Sequence, residues 1–162
     1  MNSGRSELAN PRRRLPDIQL PLIDGETPTQ VRARGRKAPV LLLLHSAGCR
    51  DCETYVQRLA ARQADILEWD GRVLMVVPDR TEAEGILGTT ADVPFAVAID
   101  TEQRLAVALS VQIPAIVIAD QWGEIHQVEE AGADHHFPAT QEVVDWVRYL
   151  AIQCPECQGE AF

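Results

Sequence analysis

Four cysteines stand in two Cys-x-x-Cys pairs, Cys49-Arg50-Asp51-Cys52 and Cys154-Pro155-Glu156-Cys157, in a chain of 162 residues. A two-residue gap lets two sulfurs either close a small disulfide ring or reach one tetrahedral metal ion. The first pair follows an apolar run, Val40-Leu41-Leu42-Leu43-Leu44, and leads into a helix-like stripe. Both thiols therefore fall in the first turn of a helix fed by a buried strand, where unpaired N–H groups and the positive end of the helix dipole favour thiolate. Arg50 adds to that preference, whereas Asp51 and Glu53 oppose it. Thiol redox chemistry is the expectation for Cys49 and Cys52, weighed against buried inert thiols or half of a zinc site. His45, just ahead of the pair, is read either as a proton shuttle for Cys49 or as a hydrogen-bonded structural residue. His135-His136, with Asp134, Glu129 and Glu130, reads as a solvated loop, because adjacent side chains diverge.

The elements that must position these residues follow from periodicity. An alternating stretch from Leu15 to the Asp24-Gly25 turn predicts a short antiparallel hairpin, and residues 39–45 a strand covered on both faces. One helix is predicted from Cys52 to about Asp70-Gly71, with Tyr55, Val56, Leu59, Ala60, Gln63, Ile66 and Leu67 on its stripe. Strands are expected at 72–78, 95–99 and 115–119, a weak helix or loop at 81–89, and a helix at 101–109. The Gln121-Trp122-Gly123 turn should make a hairpin with 124–130, and a last helix should run over 140–153 with Val143, Val144, Val147, Leu150 and Ala151 inward. Strands alternating with helices predict a three-layer α/β sandwich with a mixed sheet.

Composition sets the bounds. A 46% hydrophobic chain of this length can bury one core, and no stretch approaches the roughly 20 apolar residues of a membrane span. The segment 1–14 reads as a flexible basic leader with no apolar stretch of the secretory kind, so a cytoplasmic location is expected. Residues 1–37 hold eight of the 15 Lys/Arg and four of the 24 Asp/Glu, which leaves an acidic body. Nucleic acid is not an expected partner.

In order along the chain, Pro16-Asp17-Ile18-Gln19-Leu20 with Asp24-Gly25, the strand-to-Cys-x-x-Cys-to-helix passage, and Ile113-Pro114-Ala115-Ile116-Val117-Ile118-Ala119-Asp120 followed by Gly123 resemble the redoxin branch of the thioredoxin-like superfamily, which includes the alkyl hydroperoxide reductase-like peroxiredoxins. The resemblance covers about 15–150 and implies a thioredoxin-like domain over 15–153, with 154–162 as a tail. It also implies a cis peptide bond before Pro114 and a substrate groove at Ser46, Ile113 and Pro114. Cys49 would attack a disulfide and Cys52 would resolve the mixed disulfide. The Ser46-Ala47-Gly48-Cys49 segment is similar to the Thr/Ser-x-x-Cys of peroxiredoxins, but Leu42 stands where that family has a proline, and its peroxide-polarising arginine has no clear match. Disulfide exchange thus leads, with peroxide reduction at Cys49 as the alternative and a non-enzymatic zinc-binding or interaction protein as a third class. The partners implied are a disulfide-bearing protein or a hydroperoxide, together with a thiol reductant; a homodimer stays open.

No cofactor is required by this reading. A Zn²⁺ at Cys154 and Cys157 would have only two ligands from that knuckle. A last helix of thioredoxin type would carry them about 20 Å from the first pair, which disfavours a four-cysteine site. A second dithiol, a half-site completed by another subunit and a frayed end remain open for the tail.

Overall fold

The computed structural model describes residues 13–24, 28–32, 37–45, 49–89 and 93–153. The strands are β1 (Gln19–Pro21), β2 (Pro28–Gln30), β3 (Ala38–Leu43), β4 (Gly71–Val77), β5 (Ala96–Ile99), β6 (Ala115–Ala119) and β7 (Ile125–Glu130). The helices are α1 (Arg50–Ala60), α2 (Gln63–Glu68), α3 (Arg80–Thr89), α4 (Arg104–Leu109) and α5 (Thr140–Ile152).

Five strands form the central sheet in the order β5-β4-β3-β6-β7. The β3–β4 and β4–β5 pairs are parallel, and the β3–β6 and β6–β7 pairs antiparallel. Every residue of β3 and β6 is buried. That is why their sequences are unbroken apolar runs: helices or the hairpin cover both faces, and alternation would leave polar groups unsatisfied. On one face Val40, Leu42 and Leu44 pack with Val56, Leu59, Ile86, Val143 and Val147. On the other, Leu41 and Leu43 pack with Leu20 of the hairpin and Leu105 and Leu109 of α4. Each such fully buried aliphatic side chain contributes about 1.5–3 kcal/mol relative to exposure. The expected three-layer thioredoxin-like sandwich is what forms, with the antiparallel β1–β2 pair at its N-terminal side.

Several boundaries differ from the sequence reading. The single helix expected from Cys52 to residue 70 is two helices, because the Arg62 N–H turns back to the Leu59 carbonyl at 3.0 Å instead of continuing the i→i−4 ladder. Past that break Ile66 is still buried, whereas Leu67 is 46% exposed and off the inner face. The helix expected to begin at Thr101 begins at Arg104, because Asp100, not a residue of the first turn, satisfies its opening N–H groups. In α5 the inner face is Val143, Val144, Val147 and Leu150; Ala151 is exposed. At the other end of the chain, the Arg13 carbonyl accepts from Ile125 N–H at 2.8 Å and Arg14 bridges to Glu124. The last two residues of the 1–14 segment thus join the edge of the sheet.

Candidate active site

Strand β3 delivers the chain to the site. The Leu44 N–H still bonds the Val76 carbonyl at 2.9 Å, and His45 then leaves the sheet half-buried. Ser46 lies outside the described residues. Cys49 is the N-cap of α1: its backbone is extended (φ −77°, ψ 103°), its carbonyl accepts the first helical bond from Glu53 N–H at 3.0 Å, and its Sγ accepts from Cys52 N–H at 3.4 Å. Sulfur here fills the role an oxygen usually plays, satisfying one of the orphan donors of the first turn.

The two thiols are free and differ in setting. Cys49 is half-buried, whereas Cys52 is fully buried in the core with Tyr55, Val56 and Leu59. Burial pushes the Cys52 thiol well above its ordinary range, and the hydrogen bond with Cys49 and the charges of Cys49 and Asp51 push it the same way. Cys52 therefore keeps its proton until something takes it. This asymmetry is the geometric content of the Cys-x-x-Cys spacing: the helix turns the second sulfur inward while the cap leaves the first at the rim.

Two histidines complete the cluster. His45 Nε2 lies 2.7 Å from His135 Nε2. His135 Nδ1 lies 2.9 Å from the Ala133 carbonyl, an obligate acceptor, so His135 Nδ1–H donates to it. His135 Nε2 then offers a lone pair, and His45 Nε2–H donates to it. Burial, followed by the coulombic effect of the neighbouring His135, lowers the His45 pKa. The donor atoms of His45, Cys49, Cys52 and His135 all lie within 4.8 Å of one another.

The sequence reading of 134–136 as a solvated loop holds for exposed His136 and fails for His135. Tertiary packing makes the difference. The Phe137 ring stacks on Tyr55 of α1 with centroids 4.3 Å apart and planes 10° from parallel. The Ala131 N–H bonds the Pro114 carbonyl at 2.9 Å, and His136 N–H bonds the Ala131 carbonyl at 2.9 Å. The β7–α5 loop is thereby clamped over the mouth of α1, with His135 in the left-handed region at φ 53°. The only local hint was the divergence of adjacent histidines, which sends one of the two inward.

The Ile113–Pro114 peptide bond is cis. The register Leu43↔Ala115 sets buried Pro114 beside the end of β3 from which the cysteine segment departs. Ile113 is half-buried and packs with the residues of the opposite sheet face. A cleft of about 470 Å³ lies between α1 and the loop before α5, lined by Asp51, Tyr55, Arg58, His135, His136 and Phe137. Cys154 and Cys157 lie outside the described residues. Gln153, the residue before them, borders Ala38 and Trp69 at the start of β3, the opposite end of that strand from His45.

A mixed sheet sandwiched by helices, with a free dithiol at the mouth of the helix after its central strand and a cis-proline beside that strand's end, defines a thioredoxin-like redoxin. Residues 11–128 match the AhpC/TSA family, and the chain belongs to it. Solved structures agree on the fold. Peroxiredoxin Q of Xanthomonas campestris superimposes with TM-score 0.71 at 16% identity, over 83% of this chain and 92% of that one. A candidate thiol:disulfide interchange protein DsbE of Chlorobium tepidum gives 0.72 at 19%, over 88% and 97%. AhpC of Mycobacterium tuberculosis gives 0.73 at 17%, over 90% and 96%. No curated protein sequence matches this chain.

Proposed function

We propose that this redoxin is a thiol–disulfide oxidoreductase working through Cys49 and Cys52. The observation that carries the reading is the asymmetric pair: a half-buried sulfur capping α1 and, within 4.8 Å, a fully buried one that holds its proton. Cys49 as thiolate attacks one sulfur of a substrate disulfide, the substrate S–S bond breaks, and one substrate thiol leaves. Cys52 then gives up its proton, attacks Cys49 Sγ and releases the second substrate thiol, leaving a Cys49–Cys52 disulfide. The substrate has gained two electrons and two protons, and a thiol reductant restores the enzyme.

Membership of the AhpC/TSA family favours a second reading, peroxide reduction. Cys49 would then attack the hydroperoxide O–O bond, releasing an alcohol and forming a sulfenic acid, and Cys52 would condense with it to give the same disulfide and water. The arginine that polarises the peroxide in that family has no clear match in this sequence, which supports exchange as the main activity. Disulfide reduction and hydroperoxide consumption, assayed side by side with one thiol reductant, separate the two. Cys49→Ser is expected to abolish whichever activity is present, and Cys52→Ser to accumulate a mixed disulfide on Cys49 with a disulfide substrate. Unchanged turnover in Cys49→Ser rejects both readings.

A further inference from the structure

The Cys49/Cys52 pair does not stand alone: two segments distant in sequence, 45–52 and the loop carrying His135, bring two sulfurs and two imidazole nitrogens into one cluster, and the two readings above use only the sulfurs. We propose that, with the dithiol reduced, His45, Cys49, Cys52 and His135 bind a single Zn²⁺ ion with tetrahedral two-sulfur, two-nitrogen coordination.

The geometry fits the ion. Zinc bonds thiolate sulfur at about 2.3 Å and imidazole nitrogen at about 2.0–2.1 Å, so donors at the corners of a tetrahedron lie about 3.3–3.8 Å apart. The four donor atoms here fall within 4.8 Å of one another, and the Nε2···Nε2 distance of 2.7 Å needs only to open by a fraction of an ångström. The donor set matches as well, since two thiolates and two imidazoles in tetrahedral array select zinc over harder cations. The second shell is already built. His135 Nδ1–H is held by the Ala133 carbonyl, which orients the ring and leaves Nε2 as the ligating atom.

His135 is also held in place from outside. It keeps a left-handed backbone that side chains seldom adopt, and the Tyr55–Phe137 stack and the Ala131–Pro114 hydrogen bond hold the loop that carries it. On binding, the two thiol protons pass to solvent. The His45 hydrogen moves from Nε2 to Nδ1, so two thiolates balance the charge of the ion.

This site does not rest on the exchange reading and excludes it in time. Sulfurs bound to zinc present no free thiolate to a substrate disulfide, and a Cys49–Cys52 disulfide has no thiolates left for the ion.

The test is metal titration of the full-length, reduced and metal-stripped protein in the absence of oxygen, using Co²⁺ as a spectroscopic stand-in and Zn²⁺ in competition with a chromophoric chelator. A Cys154→Ser/Cys157→Ser background removes the tail thiols. In that background one equivalent of Co²⁺ is expected to give tetrahedral ligand-field and thiolate charge-transfer bands. His45→Gln and His135→Gln are each expected to weaken Zn²⁺ binding by more than about 100-fold, the upper end of what losing even an outer-shell partner costs. X-ray absorption of the zinc-loaded background protein should count two sulfur and two nitrogen neighbours, a readout that does not depend on any histidine variant folding. Absence of the tetrahedral cobalt spectrum, a different donor count, or histidine variants that bind undiminished overturns the proposal. Disulfide turnover without zinc binding sinks this site and spares the exchange reading; zinc binding without turnover after the metal is removed does the reverse.

Discussion

Two cysteines three positions apart have opposite fates because a helix N-terminus is asymmetric. The cap position faces outward with its sulfur over the first-turn N–H groups, and the residue three on is rotated into the core. Brief alkylation of the reduced protein should therefore modify Cys49 at least about tenfold faster than Cys52, because Cys52 is buried and held as the thiol. Peptide mass analysis after quenching reads this, and equal labelling would contradict the assigned order of attack. The spacing and setting of this pair were legible in the sequence, since both are local. His135 was not: its partner is 90 residues away, and nothing near 135 signals that a stacked Tyr55–Phe137 pair will draw the loop inward.

Among the elements, the ends decide more than the interiors. Helix α4 is preceded by its N-cap Gln103 in the left-handed conformation, and its first N–H groups go to Asp100, whose Oδ1 accepts from Arg104 N–H at 3.0 Å and Oδ2 from Leu105 N–H at 2.8 Å. Asp100→Ala removes that cap and should cost about 0.5–2 kcal/mol, measurable as a lower denaturant midpoint. The β6–β7 turn depends on another buried carboxylate. Asp120 Oδ1 accepts from Trp122 N–H and Glu124 N–H, each at 2.9 Å, its Oδ2 lies 3.0 Å from His126 Nε2, and Gly123 supplies the positive φ of 86° that closes the turn.

Burial works against ionised Asp120, but the His126 hydrogen bond and the two backbone donors outweigh it and lower its pKa. For His126, the Asp120 hydrogen bond outweighs burial and raises the pKa. The signs define a window. The Asp120 contribution is present above its unfolded pKa of about 3.9 and is lost as pH falls through its depressed folded value; the His126 contribution is complete below its unfolded pKa of about 6.5 and is lost as pH rises through its raised folded value. The stability difference between the wild type and His126→Asn should thus be largest between about pH 4 and 6.5 and shrink above that range. A difference in thermal midpoint that stays flat from pH 5 to 9 would contradict the pairing. The turn itself was legible from Gln121-Trp122-Gly123; the carboxylate that organises it was not singled out, because its partners are set by the hairpin closing.

For the molecule as a whole, coupling between layers runs through close approaches. A Cβ at Gly71 would stand 2.6 Å from Ile66 Cγ2 and 2.7 Å from Val147 Cγ1, with the Ile66 carbonyl oxygen at 3.0 Å, so the start of β4 is pressed against both α2 and α5. Gly71→Ala should overpack this junction and cost about 1–3 kcal/mol in equilibrium unfolding, whereas an unchanged midpoint would show that α2 and α5 yield freely. No helix among the described residues is long and apolar enough to cross a membrane. The sequence alone determined the layered α/β class, the buried character of β3 and the seat of the Cys49 pair. All three follow from hydrophobic period and nearest-neighbour spacing, which are local properties. Only the tertiary structure decided the break between α1 and α2, the reach of Asp100 and Asp120, and the meeting of His45 with His135 over the two sulfurs. Those depend on which distant segments the sheet order and the cores bring together, and a one-dimensional pattern does not encode a distance between strands and loops that close on one another last.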